Sequence, residues 1–194
     1  MKVSKAYRVA HGLTPDRIAD TMIAWYRRID EMSDTIVAQL KARGLELACR
    51  AGCCGCCRDD LSMTQAEAAV IRKLFPNIGL EKPHPVGACP FLDENGLCRI
   101  YAARPYICRT HGLPMQIIFT RDDARDFGIE TDKEVVEVRD ICANSAEVVD
   151  VMAIPASACW NGKTAELQLA TMEMCTFQED VRVPMRDFFQ NEYI

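Results

Sequence analysis

No run of 18 apolar residues occurs in this chain, so no membrane-spanning helix is expected. No basic run occurs either, and the net charge of −5 argues against a phosphate-binding face for nucleic acid. Residues Met1 to Gly12 carry lysines but no apolar segment of the kind a secretory signal needs. Ser-His-Asp sets, P-loops and H-E-x-x-H pairs are absent, which leaves hydrolase and nucleotide chemistry without support. Repeated βα units, a glycine-rich cofactor loop, internal repeats and low-complexity stretches are missing as well. What remains is an ordinary composition, 49% apolar and 26% charged over 194 residues, long enough to bury a core. These absences predict a cytoplasmic protein with no nucleic acid and no membrane as partner, and they leave a protein partner undefined.

The chain is rich in cysteine. It holds eleven, five of them in the nine residues Cys49-Arg50-Ala51-Gly52-Cys53-Cys54-Gly55-Cys56-Cys57. Packing never calls for such density, so the choice lies between a disulfide framework and a thiolate metal site. A reducing cytosol disfavours disulfides, and the odd count would leave one cysteine over. Gly52 and Gly55 can take positive φ, which lets the loop curl and point several sulfurs inward. The gaps C-x3-C-x2-C from Cys49 through Cys53 to Cys56 suit chelation of zinc or an iron–sulfur cluster. Cys56 and Cys57 are expected to point different ways, which implies a spare thiol or more than one metal.

Thr14-Pro15-Asp16 reads as a helix start, and Ile18, Met22, Trp25, Ile29, Met32, Ile36 and Leu40 form one apolar stripe ending near Arg43 with Gly44 as the stop. Thr64-Gln65-Ala66-Glu67 is a capping box that opens a helix to about Phe75, so Glu67 reads as a cap partner and not as a catalytic acid. Residues 76–88 should form an extended loop. Asn95-Gly96 is a tight-turn signal that would fold Cys89 and Cys98 toward each other. Ile100 to Ala103 reads as a short helical turn, Cys108 follows, and His111 reads as a loop histidine more readily than as a ligand. Met115–Thr120 and Val135–Val138 are strand candidates that pair across the acidic stretch Asp122–Lys133. Asn144-Ser145 is expected to cap a helix through Met152, and Thr164 another through Met174. Cys142, Cys159 and Cys175 form no motif; at least two should be ordinary thiols, with Cys142 or Cys159 better placed than Cys175 to complete a coordination sphere.

The two cysteine regions together resemble the YkgJ-type cysteine-cluster family, a zinc- or iron-chelating CxxCxxCC domain. The matching residues are Cys49, Cys53, Cys56 and Cys57, the capped helix at Thr64–Glu67, then Cys89-Pro90-Phe91-Leu92, Cys98-Arg99-Ile100-Tyr101, Arg104-Pro105 and Cys108-Arg109. The resemblance covers roughly residues 45–112 and implies Cys49, Cys53, Cys56, Cys57, Cys89, Cys98 and Cys108 as metal ligands. Cys54 stands outside its pattern. Arg58, Arg99, Arg104 and Arg109 flank the sulfurs and are expected to offset their negative charge.

The expected architecture is mainly α with a few short strands (α+β), a small metal-stabilised cysteine-rich domain built on a long N-terminal helix. Residues 1–44 would supply that helix, 45–112 the metal-binding region, and 113–194 an α/β extension completing the same domain. The functional expectation is a metal-binding protein whose zinc or iron is structural or carried, because a closed thiolate sphere leaves no position for substrate. Catalysis is thereby disfavoured. One alternative is an iron–sulfur enzyme of the radical S-adenosylmethionine or protein N-methylase type, since some relatives of the family are lysine N-methylases of flagellin. The other is a metal-shaped protein-interaction module.

Overall fold

The computed structural model describes residues 4–50, 52–126, 128–179 and 181–190. Its α+β architecture divides into two compact units, one made of residues 1–30, 50–109 and 167–194, the other of residues 31–49 and 110–166. A short helix, α1 (Lys5–Ala10), precedes α2 (Ile18–Lys41), whose 24 residues make it the longest among the described elements. Of the apolar stripe on α2, Met32 is 52% exposed and the other six members are buried, joined by Tyr26. The helix begins at Ile18 and not at Pro15, because Arg17 and Ile18 first turn back onto the Thr14 carbonyl. It stops as expected at Gly44, where φ is +74° and the Leu45 amide donates to the Leu40 carbonyl.

In the first unit, β1 (Ser62–Thr64) leads directly into α3 (Gln65–Leu74). The capping box is formed: the Thr64 hydroxyl accepts from the Glu67 amide, and the Glu67 carboxylate accepts from the Thr64 amide. A buried carboxylate from α7 (Lys163–Phe177) completes the helix start, because Glu173 accepts from the Gln65 and Ala66 amides at 3.0 and 2.9 Å. Four donors that the helix itself cannot satisfy thus meet acceptors. Strand β1 pairs antiparallel with β4 (Arg182–Pro184), a two-stranded sheet that joins distant parts of the chain. Met63, Val70, Ile71, Phe91, Val183 and Met185 fill the core beneath it. Residues 76–88, expected as plain loop, include a 3-10 turn at Ile78–Leu80. Cys108 and Arg109 lie on the short α4 (Tyr106–Thr110).

In the second unit, β2 (Met115–Thr120) and β3 (Val135–Asp140) pair antiparallel along six residues each, as expected. The acidic stretch between them is no simple loop: it opens with α5 (Arg121–Asp126), where Thr120 and Asp123 exchange cap hydrogen bonds. The helix expected from Asn144 to Met152 shrinks to α6 (Ala143–Ala146). Its supposed cap is used elsewhere, since the buried Ser145 hydroxyl accepts from the Ala48 amide. Asp150 then caps a separate 3-10 turn at Val151–Ala153. Thr164 lies inside α7, and the Asn161 side chain, which accepts from the Lys163 amide, takes the capping role. Among the described residues no helix is long and apolar enough to cross a membrane.

Candidate metal centre

The cysteine loop of the first unit folds on its own backbone. The Cys53 amide donates to the Arg50 carbonyl, the Cys57 amide to that of Cys54, and the Arg58 amide to that of Cys56, at 2.9, 2.9 and 3.0 Å. The left-handed turn this needs falls on Gly52, at φ +83°, and not on Gly55. The second cysteine region is the expected hairpin. The Asp93 carboxylate accepts from the Asn95 and Leu97 amides at 2.8 Å, Gly96 takes φ +75°, and Leu92 bridges to Cys98. A side chain on Gly96 would meet the Cys54 sulfur at 3.4 Å, so the first loop rests on the hairpin turn. A hydrogen bond from the Cys89 amide to the Cys57 carbonyl, 2.9 Å, joins the two regions again. Cys108 enters from α4, whose first amide, that of Tyr106, donates to Glu67 at 2.7 Å.

Five thiols thereby act on one another. Burial pushes the Cys57 thiol up to about 12, and the neighbouring Cys56, Cys89 and Cys98 push it in the same direction. Burial likewise raises Cys108, which also feels Cys89, Cys57 and Cys98. Burial raises Cys89 against a hydrogen bond from the Phe91 amide, with Cys98 adding to the rise. Cys98 is raised by burial too, and the Arg104 and Arg99 cations oppose that rise. Cys56 and Cys57 were expected to point apart, and the Cys56 thiol is near enough to raise that of Cys57. Among the described residues, no three histidine, cysteine or carboxylate side chains are already drawn together tightly enough to hold one ion. The donor chemistry nevertheless fits zinc or iron: grouped, partly buried sulfurs suit soft coordination, and only a cation at their centre makes several thiolates tolerable together. Cys57, Cys89, Cys98 and Cys108 would hold it, with Cys56 as a further donor.

The flanking arginines divide. Arg99 and Arg104 act on Cys98 as expected, Arg99 while pairing with Glu81 and Arg104 while lying 3.7 Å over the Tyr101 ring. Arg58 is instead committed to Asp60, and Arg109 to Asp30 and the Ala102 and Arg104 carbonyls. Tyr26 of α2 was not anticipated in this neighbourhood. Its hydroxyl is raised well above its ordinary value by burial and feels both Glu67 and Cys108. Cys53 is half-buried in the first loop. Cys49 belongs to the second unit, where its sulfur lies 3.3 Å from the space a side chain on Gly112 would fill. His111, Cys142 and Cys159 are also in the second unit. His111 is exposed, and the Cys159 thiol donates to the Pro155 carbonyl. Cys175 stands on α7 outside the thiol group.

A family model described as "Putative zinc- or iron-chelating domain" (CxxCxxCC) matches residues 48–143. Residues 48–143 thus match the CxxCxxCC family. The match takes in all seven cysteines that the resemblance named and reaches Cys142. It ends before α7 and β4, so Glu173 and the strand that pairs with β1 are contributed by chain outside the matched domain. No curated protein and no solved structure matches the chain.

Proposed function

We propose that this protein binds zinc or iron through clustered thiolates, and that the metal is structural or carried and not a catalyst. The observation that carries the reading is the thiol group of the first unit, in which the buried Cys89 and the half-buried Cys57, Cys98 and Cys108 act on one another. Such sulfurs have no use for one another as acids, and a bound cation would convert their mutual repulsion into attraction. The match of residues 48–143 to a zinc- or iron-chelating family model supports the same reading. When bound, the metal supplies a cross-link between the Cys57 loop, the Cys89–Cys98 hairpin and α4. The Arg99 and Arg104 cations offset part of the thiolate charge. The seven-cysteine set is narrowed in this proposal to Cys56, Cys57, Cys89, Cys98 and Cys108, with Cys53 as a reserve donor on the same loop. Thiolate chelation of this kind needs a reducing compartment, in keeping with a cytoplasmic location.

Anaerobic purification followed by elemental analysis and an absorption spectrum tests the proposal. One or two zinc ions per chain, or iron without sulfide, is the expected result. Iron with matching sulfide and a broad visible band would establish a cluster in place of single ions, and S-adenosylmethionine would be the next ligand to try. A chain that retains no metal, and takes none up from zinc or ferrous salts, would overturn the reading.

A further inference from the structure

We propose that Arg186 is a positioning residue for the metal centre, tying the Cys57 segment to the Cys89 loop and so setting where those two sulfurs stand. The inference rests on the thiolate reading above. Arg186 follows β4, and the adjacent Met185 amide is fixed to the Leu61 carbonyl at 2.9 Å. One edge of its guanidinium donates to the Asp59 carboxylate. The rest of the fork donates to the carbonyls of His84 and Ala88, both at 3.0 Å, and of Pro85 at 3.4 Å. Asp59 is two residues from Cys57, and Ala88 is next to Cys89. Every one of these acceptors therefore lies on one of two cysteine-bearing segments. Asp59 closes the arrangement from the other side, because its second oxygen accepts from the Gly87 amide at 3.1 Å. The His84 amide in turn donates to the Pro90 carbonyl at 3.0 Å, which makes 84–90 a closed loop around the guanidinium.

The geometry asks for arginine. A planar fork with five donors can reach a carboxylate and three carbonyls at once, whereas an ammonium cannot span them. Arg186 comes from a part of the chain outside the matched family domain, so the clamp joins that part to the two cysteine segments. It acts through the backbone that carries Cys57 and Cys89, and its charge also opposes the rise of the Cys89 thiol.

The test compares the full-length wild-type chain with Arg186→Ala, Arg186→Lys and the control Arg182→Ala. Arg182 also bonds across the β1–β4 pair, to Ser62, but touches neither cysteine segment. Metal-free protein is titrated anaerobically with zinc, and with cobalt as a spectroscopic probe of thiolate ligation. Arg186→Ala should weaken zinc binding by about 10–100-fold, the usual cost of losing an outer positioning contact, and should alter the cobalt–thiolate band per bound ion. Arg186→Lys should fall between it and the wild type, and carries the comparison should the alanine variant fail to fold. Arg182→Ala should leave both readouts alone even if its unfolding midpoint drops. Amide exchange on the metal-free proteins gives an independent readout: Gly87 and Cys89 should exchange faster in the Arg186 variants only. Unchanged affinity and cobalt spectrum in the Arg186 variants, or equal losses in Arg182→Ala, would overturn the proposal. A wild-type chain that binds neither zinc nor cobalt would overturn the metal reading instead, and the Gly87 and Cys89 exchange rates would then decide whether the clamp exists.

Discussion

At the scale of single residues, the grouped thiols and the buried Arg109 cation carry the most specific consequences. Replacing Cys57 or Cys108 by serine keeps the volume nearly constant and removes a thiolate donor. Each variant should lose at least about tenfold in zinc affinity, equivalent to about 1.4 kcal/mol, whereas Cys175→Ser on α7 should bind as the wild type does. A competitive titration against a chromogenic chelator measures both. Arg109 makes a different point. Its guanidinium is only 4% exposed while its partner Asp30 is 44% exposed, so losing the carboxylate leaves a buried charge with two carbonyls and the Tyr26 face as company. Asp30→Ala should therefore cost about 2–3 kcal/mol in urea unfolding of the metal-free chain, near the lower end for a broken buried pair. Asp30→Asn, which keeps an acceptor, should cost about half of that.

At the scale of elements, the start of α3 holds two buried carboxylates, Glu67 and Glu173, and both bond backbone amides there. Burial raises Glu173 above its ordinary 4.5, against the amide bonds from Ala66 and Gln65 that favour the charged form. The folded chain thus holds this proton more tightly than the unfolded one. Stability should fall as pH rises from 4.5 through the raised value and level off above it. Glu173→Gln should flatten that part of the profile in thermal melts while costing about 1–2 kcal/mol at neutral pH, because one amide donor would lose its acceptor. Elements with a local signature were legible in the sequence: the Thr64–Glu67 box, the Asn95-Gly96 turn, the β2–β3 pair and the Gly44 stop each carry their own chemistry within a few residues. Elements whose hydrogen bonds come from afar were not. Ser145 looks like a cap until Ala48 claims its hydroxyl, and β1 and β4 are three-residue strands paired across more than a hundred positions. Arg186 has no local signature either, since its acceptors lie some hundred residues and more upstream.

At the scale of the whole molecule, the proposed metal would link binding to folding in the first unit, because a site drawn together by an ion cannot exist in the unfolded chain. Removing metal with a strong chelator should lower the unfolding free energy by about 2.7 kcal/mol relative to protein held at a hundredfold excess over the dissociation constant. Under limited proteolysis the metal-free chain should be cut first within residues 50–58 and 84–98, the segments that the ion would join. The candidate site was half legible from sequence. Cys57, Cys89, Cys98 and Cys108 could be named from spacing and family resemblance, whereas the roles of Tyr26 and Asp59 depend on chain segments that meet only after folding. The measurement that reaches the central claim most directly is X-ray absorption at the edge of the bound metal in anaerobically purified protein. Thiolate chelation predicts a sulfur shell at about 2.3 Å for zinc that loses occupancy in Cys57→Ser and Cys108→Ser. A shell of oxygen and nitrogen alone, unchanged by those substitutions, would contradict it.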